Sequence, residues 1–115
     1  MTRALDVVIV NFNTRDDLLA CVASIESAPP SIDVRIHVVD NASSDGSVAS
    51  VRGAHPSVNV IALDRNVGFA AANNLAIRAS ASPLILLLNS DTRVRPGAID
   101  TLVARLEATT SRSGT

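Results

Sequence analysis

Polar side chains that can bind metals, phosphates or sugars follow three apolar segments of this 115-residue sequence. Asn11 and Asn13 follow the first such segment, Asp40 follows the second, and Asn89 and Asp91 follow the last. In an open parallel sheet, small molecules bind beyond the carboxyl ends of the strands, where the direction of winding reverses. The pattern therefore predicts one shared pocket for a small ligand.

Asp91 is the side chain in this set that best suits a metal ion. It emerges after the apolar segment 84–88, where a carboxylate can hold a hard divalent cation between the protein and a diphosphate. Phosphate oxygens and water would complete the shell, so one carboxylate can suffice. The alternative is that residues 89–92 only form a loop before the last helix.

Two further segments have a functional and a plain structural interpretation. The carboxylate of Asp40 can accept hydrogen bonds from a nucleobase or a ribose, but the small polar residues 40–47 also suit a turn and a helix cap. Arg65 precedes Gly68 and an alanine-rich helix start, which together favour a diphosphate. The same small residues also suit close packing of a helix on a sheet.

Composition excludes several classes of function. The formal charge is −1, and 10 arginines, with no lysine, are spread among 11 acidic residues, so nucleic acid is not an expected partner. Without lysine, neither a Walker-type phosphate loop nor Schiff-base chemistry is possible. No membrane span or signal-peptide core is evident, which predicts a cytoplasmic protein. The single cysteine, Cys21, lies among apolar residues and is predicted to be a buried thiol.

Four short apolar segments predict the strands that position these residues. They span residues 7–10, 36–39, 58–63 and 84–88. Because the segments are almost continuously apolar, we expect a parallel sheet with helices on both faces, which is an α/β fold. With strand order 3-2-1-4, the winding reverses between strands 1 and 4, so Asn11, Asn13, Asp40 and Asp91 would share one crevice.

Helices are predicted between and after these strands. The first begins with Thr14 as N-cap and Asp17 completing a capping box, and it ends before Pro29. A short helix follows Gly46, a third spans residues 68–80, and the last begins near Pro96. We assign residues 1–108 to a single domain and residues 109–115 to a flexible polar tail.

Taken together, these segments resemble the beginning of the family 2 glycosyltransferases, particularly the bacterial rhamnosyltransferase-like group. The resemblance rests on four ordered motifs and covers about residues 5 to 108; the motifs are residues 8–13 with 18–25, residues 38–47, residues 66–74 and residues 86–92. It implies a GT-A fold, a Rossmann-like half, and a nucleotide-diphosphate sugar as donor. It also implies a Mg or Mn ion and a place in polysaccharide or cell-wall biosynthesis.

The resemblance also implies roles for individual residues. Asp40 would contact the nucleoside and Asp91 would hold the metal, while Arg65 approaches phosphate. The other residues assigned to the nucleotide-sugar site are Asn11, Asn13, Asn66 and Asn89. Asn89 stands where many relatives have the first aspartate of an Asp-x-Asp motif, which lowers the local negative charge and weakens its case as a direct ligand.

The catalytic base is not identifiable in this sequence. Family members invert configuration by in-line attack of an acceptor hydroxyl, with a later carboxylate as general base, and no acidic residue after Asp91 has a matching context. We therefore predict that this chain binds donor and metal, and that a missing half completes transfer to a saccharide or lipid-linked acceptor.

Two other classes of function compete with this prediction. A non-catalytic nucleotide-binding or assembly module would keep the fold, and the apolar edge at residues 84–88 would then favour self-association. A dinucleotide-dependent oxidoreductase is disfavoured, because residues 11–14 replace the glycine-rich turn that such enzymes need after strand 1.

Overall fold

The structure, a computed structural model, describes residues 4–113. Strands and helices alternate along the chain, as the periodicity of the apolar residues predicts. In order, they are β1 (Ala4–Asn11), α1 (Arg15–Glu26), β2 (Asp33–Asp40), α2 (Ser47–Ala54), β3 (Asn59–Ala62), α3 (Phe69–Ala79), β4 (Leu84–Asn89) and α4 (Ala98–Ser113). Strands β1 and β2 are longer than their apolar segments, since each also includes polar residues at its ends.

The four strands form one parallel sheet in the order β3-β2-β1-β4. This confirms both the predicted α/β fold and the predicted strand order. The register places Asn11 beside Asp40 across β1 and β2, and Val10 beside Asn89 across β1 and β4. The polar residues that end these three strands therefore lie at the same edge of the sheet.

Helices cover both faces of the sheet, but they do so unequally. On one face, Val7 and Ile9 of β1 pack in a core with α1, α2 and α4. On the other face, Val8 and Val10 pack with Val39 against the alanines of α3. Small side chains on α3 allow a close approach of this helix to β1 and β2.

Strand β4 departs from the prediction of a sheet covered on both faces. Its side chains alternate between half-buried and exposed, and Ile85 and Leu87 are 37% and 45% exposed. The register places them on the α3 face, beside Asp6 and Val8. Because α3 packs over β1 and β2, it leaves β4, an edge strand, uncovered on that face.

The helix boundaries confirm most of the predictions and correct two. Thr14 is the N-cap of α1, but no side-chain cap bond forms, so the predicted capping box is wrong. Instead, the Asp17 carboxylate accepts a hydrogen bond of 2.8 Å from Arg93. Helix α4 continues to Ser113, so residues 109–113 of the predicted tail are helical, and the last two residues lie outside the described part. Within residues 4–113, no helix is both long and apolar enough to cross a membrane.

Candidate functional site

A buried polar network joins the ends of β1 and β2. The side chain of Asn11 is fully buried and donates a hydrogen bond of 2.8 Å to Oδ1 of Asp40, which is itself 2% exposed. Ser43 donates its hydroxyl proton to the same oxygen at 2.7 Å and its backbone N–H to Oδ2 at 2.9 Å. Three donors thus stabilise a carboxylate that has little contact with water.

Burial changes what Asn11 can do. A side chain with no exposed surface cannot line a pocket, so its geometry is that of a support for Asp40. Asn13, two residues later, is exposed, and its side-chain oxygen accepts a hydrogen bond of 2.8 Å from the N–H of Ser44. Of the two asparagines that follow the first apolar segment, only Asn13 is available to a ligand.

The loops at these strand ends adopt backbone conformations that side chains rarely favour. Asn13 has a φ of 52° and Ala42 has a φ of 65°. Asparagine tolerates the left-handed region, whereas alanine there carries a steric cost. Such residues persist where surrounding contacts fix the loop, and here Ser43 supplies them by accepting the N–H of Asn13 at 2.8 Å.

Asp45 joins the starts of α1 and α2. Its carboxylate accepts hydrogen bonds from the N–H and hydroxyl of Ser47 and, at 2.9 Å, from the N–H of Arg15. These donors are among those that a helix leaves unpaired at its first turn. The bond from the Ser47 side chain, with the two backbone bonds, holds the pKa of Asp45 below its ordinary value against a smaller effect of burial.

A cavity of about 310 Å³ opens at the carboxyl end of β4. We call it the β4 cavity; its walls are Val10, Thr14, Asp17, Phe69, Asn89, Ser90 and Asp91. The side chains of Asn89 and Asp91 are exposed there, and Phe69 is 54% exposed. A second cavity of about 400 Å³, at the start of α1, shares Thr14 and Asp17 with it, so a long ligand could extend across both.

Asp17 belongs to the site, although the sequence predicted for it only a role in a capping box. Its carboxylate pairs with Arg93, which also donates to the backbone oxygens of Asp17 and Thr92 at 3.4 and 3.2 Å. This ion pair attaches the loop after β4 to the first turn of α1. No local spacing predicts it, because the two residues are 76 positions apart.

The third predicted segment lies apart from the β4 cavity. Arg65 and Asn66 are exposed on the loop between β3 and α3, and neither lines that cavity. The loop is held by Asn41, whose side-chain oxygen accepts the N–H of Val67 at 3.1 Å and whose amide donates to Gly68 at 3.2 Å. Asn41 received no functional role from the sequence, although it lies directly after Asp40 at the end of β2.

The donor atoms at the β4 cavity suit a hard cation that also binds a ligand. Asp91 supplies an exposed carboxylate, and Asn89 and Ser90 add neutral oxygens beside it. Among residues 4–113, no three His, Cys, Asp or Glu side chains cluster to form a complete metal site. The residues present therefore fit Mg²⁺ or Mn²⁺ held jointly by protein and phosphate, and not a closed protein cage.

Sequence comparisons identify relatives of this chain. The family model described as Glycosyl transferase family 2 matches residues 6–112. An N-acetylglucosaminyltransferase of Bradyrhizobium sp. (strain ANU 289) is 35% identical over 94 residues, covering 77% of this chain and 61% of that protein. Succinoglycan biosynthesis protein ExoO of Rhizobium meliloti (strain 1021) is 34% identical over 102 residues, covering 88% of this chain and 29% of that protein. The chain thus spans less than two thirds of either relative.

Solved structures with the same fold bind nucleotide sugars. S. aureus TarS 1-349, in complex with UDP-GlcNAc, superposes with a TM-score of 0.79 at 20% identity, over 94% of this chain and 32% of that one. The mannosyltransferase PcManGT from Pyrobaculum calidifontis, in complex with GDP-Man and Mn²⁺, gives a TM-score of 0.67 at 23% identity, over 79% of this chain and 28% of that one. At these identities the likeness establishes the GT-A fold alone.

Proposed function

The chain belongs to glycosyl transferase family 2, and from this premise we propose that it binds a nucleotide-diphosphate sugar for inverting transfer to an acceptor hydroxyl. One observation carries the proposal. The exposed carboxylate of Asp91 and the buried pair of Asn11 and Asp40 lie at one edge of the sheet, next to cavities large enough for parts of such a ligand.

We assign the nucleoside to the side of the site near Asp40 and Asn13. Asp40 is 2% exposed and lines neither cavity, so we propose that it reaches the nucleoside only through Oδ2, which accepts one hydrogen bond where Oδ1 accepts two and so retains capacity for a ligand donor. Asn13 is exposed nearby, while the buried amide of Asn11 holds the Asp40 carboxylate in place by a hydrogen bond. We further propose that Arg65 and Asn66, on the exposed loop before α3, approach the phosphates.

We propose that Asp91 holds Mg²⁺ or Mn²⁺ together with the diphosphate, with Asn89 and Ser90 as neighbouring oxygens. The donor set supports this assignment, and a structural neighbour was solved with GDP-Man and Mn²⁺. A bound cation would neutralise the charge that develops on the diphosphate as it leaves the sugar. Asn89 is neutral where an aspartate would be negatively charged. The phosphates therefore supply a larger share of the negative charge around the cation.

The acceptor and the general base need separate proposals. Among the residues that line the β4 cavity, the carboxylates are Asp17, which is paired with Arg93, and Asp91, which we assign to the cation. We therefore propose that this chain supplies donor and metal binding, and that residues beyond it supply the base and the site for a saccharide or lipid-linked acceptor. A cytoplasmic location is part of the proposal.

A second candidate function is an assembly module that binds nucleotides without transferring sugar. The exposed Ile85 and Leu87 on edge strand β4 favour it, because an apolar strand edge can pair with a second copy of the chain. Such a module requires self-association through this edge, whereas a donor-binding domain does not depend on it, so a chain that binds donors as a monomer would exclude the module.

Isothermal titration tests donor binding. Sugar conjugates of UDP, GDP and dTDP are titrated into the folded chain with and without Mn²⁺. We expect one of them to bind, with an affinity that Mn²⁺ raises by about tenfold or more. Asp91→Asn removes the anionic ligand at a position where the side chain is exposed, so the enhancement should fall while the fold remains intact.

Asp33→Asn is the matched control for this titration. Asp33 is an exposed carboxylate at the opposite end of the sheet, where β2 begins, so its neutralisation changes the net charge equally without touching the site. Loss of the Mn²⁺ effect in both variants would indicate a general effect of charge. A folded wild-type chain that binds none of the donors would contradict the proposed function.

A further inference from the structure

Thr14 stands at the N-cap of α1 without capping the helix. At that position a threonine hydroxyl ordinarily accepts an N–H of the first turn, which stabilises the helix. Here no such bond forms. The hydroxyl instead lies 2.6 Å from Oδ1 of Asn11 and 2.8 Å from the hydroxyl of Ser90. Its contacts are thus directed to the ends of β1 and β4 and not to its own helix.

The chemistry of these groups determines which atom is the donor in each of the connected hydrogen bonds. A carboxylate only accepts, so the amide nitrogen of Asn11 faces Asp40 and its amide oxygen faces Thr14. Thr14 must give its single hydroxyl proton to that oxygen. Its bond with Ser90 can then form only if Ser90 is the donor.

The result is a one-way relay in which Ser90 donates to Thr14, Thr14 to Asn11, and Asn11 to Asp40. It joins the residue beside Asp91 to the buried carboxylate at the end of β2. Because Ser90 gives its proton to Thr14, its oxygen presents only lone pairs to the β4 cavity that it lines. With only lone pairs, the Ser90 oxygen can bind a cation or accept a proton from a cation-bound water. It cannot donate a hydrogen bond to a phosphate.

We propose that Thr14 is a positioning residue that couples nucleotide binding at Asp40 to divalent-cation binding at Asp91. This inference rests on the proposed function, in which those two carboxylates serve the two ligands. A ligand that donates a hydrogen bond to Asp40 shifts the side chain of Asn11 and, through Thr14, the hydroxyl of Ser90. A cation that binds the Ser90 oxygen shifts the same side chains in the reverse order, from Ser90 through Thr14 to Asn11.

The test compares two substitutions that differ in one hydroxyl group. Thr14→Val keeps the size of the side chain and removes the relay, whereas Thr14→Ser keeps the hydroxyl. UDP, GDP and dTDP are titrated with and without Mn²⁺, and Mn²⁺ binding is followed by electron paramagnetic resonance with and without the nucleotide. Because the cation still contacts the diphosphate directly, we expect the Mn²⁺ enhancement of nucleotide affinity to fall by about three- to fivefold in Thr14→Val, and to stay within about twofold of wild type in Thr14→Ser.

Linkage supplies an internal check, because the nucleotide must change Mn²⁺ affinity by the same factor in each variant. Thr101→Val, at an exposed position on α4, controls for the loss of a threonine hydroxyl elsewhere. If Thr14→Val does not fold, Thr14→Ala removes the same hydroxyl. Ser90→Ala breaks the relay at its other end, but it also removes an oxygen beside the cation and so lowers Mn²⁺ affinity by itself. Added to Thr14→Val, it should not lower the Mn²⁺ enhancement of nucleotide affinity any further, since both substitutions interrupt one relay.

Nuclear magnetic resonance tests the relay without any ligand. We expect Ser90→Ala to shift the side-chain amide signals of Asn11 in the wild-type background but not in Thr14→Val. An equal Mn²⁺ enhancement in Thr14→Val and Thr14→Ser would overturn the coupling and leave the proposed function standing. Absence of nucleotide binding by the folded wild-type chain would overturn both.

Discussion

At the scale of the residue, the feature that most constrains this protein is a neutral amide buried against a carboxylate. Asn11 has no exposed surface and donates to Asp40, which is also buried. The pair is stable because one member supplies a proton and the other only accepts. Any change that makes both members acceptors leaves a buried charge without a donor.

Asn11→Asp makes that change with almost no change in volume. Two carboxylates would then face each other in a site with little access to water, so we expect a loss of about 3–5 kcal/mol of unfolding free energy at pH 7. At mildly acidic pH the loss should shrink, because one proton shared between the two carboxyl groups restores a donor. Urea unfolding followed by circular dichroism at pH 7 and pH 5 measures both effects.

Asn13→Asp is the control for this prediction. It adds the same charge two residues away, but Asn13 is exposed and uses only its side-chain oxygen, which an aspartate keeps. We expect its effect to stay within about 0.5 kcal/mol. Equal losses from the two substitutions would show that net charge, and not the buried pair, determines the result.

Cys21 provides a second prediction at this scale. The thiol is fully buried in the core between α1 and the sheet. Burial raises its pKa to about 11, with a small further rise from Asp91 and a small opposing effect of Arg93. Since the thiolate is the reactive form, the folded chain should label with a thiol reagent at pH 8 at least about a hundredfold more slowly than the chain in urea. Rapid labelling of the folded chain would contradict this burial.

At the scale of the element, the sequence predicted the order of strands and helices because each apolar segment is short and bounded by clear breakers. It also predicted that strand-end residues meet at one edge, since parallel strands leave no other arrangement. It did not predict the relay through Thr14, because that depends on loop conformations, with positive φ at Asn13 and Ala42, that no local pattern specifies. The exposure of β4 depends on where α3 lies, which the pattern within β4 cannot reveal.

Asp6 connects several elements at the opposite end of β1. It is 2% exposed, its carboxylate accepts the hydroxyl protons of Ser80 and Ser82, and Nε2 of His37 lies 3.3 Å away. These contacts join β1 and β2 to the loop between α3 and β4. Burial raises the pKa of Asp6, but the hydrogen bonds from the two serines and the nearby imidazole of His37 outweigh it, so the pKa lies below its ordinary value.

The sign of this shift determines the pH dependence of Asp6→Asn. Because folding lowers the pKa of Asp6, its carboxylate stabilises the fold at every pH above the ordinary pKa, which is near 4. This contribution is lost as the pH falls through the lower pKa of the native state. We expect Asp6→Asn to lower the unfolding free energy by about 1–3 kcal/mol at pH 7, with the difference shrinking below pH 4. Urea titrations across this range, with Asp33→Asn as the exposed control, measure it; a difference that grows toward acid pH would contradict the sign.

At the scale of the whole molecule, the two faces of the sheet are unequally covered. In the part of the chain that the structure describes, three helices pack on one face, and α3 alone packs on the other, over β1 and β2. This leaves Ile85 and Leu87 exposed on a strand that has no neighbour on its outer side among residues 4–113. The donor site and this apolar edge involve the same strand, so a partner paired with β4 would lie close to Asn89 and Asp91.

The isolated chain should therefore associate with itself through β4. Apolar side chains on an unpaired strand gain burial and backbone hydrogen bonds when a second strand pairs with them. We expect sedimentation velocity to show an average mass that rises with concentration.

Leu87→Lys should weaken this association by at least about tenfold, or about 1.4 kcal/mol, because it places a charge on the pairing surface. Leu75→Lys, at a position on α3 that is 40% exposed, controls for the loss of an exposed leucine. A monomer at every concentration, with donor binding intact, would exclude the assembly module and leave nucleotide-sugar binding as the function of this chain.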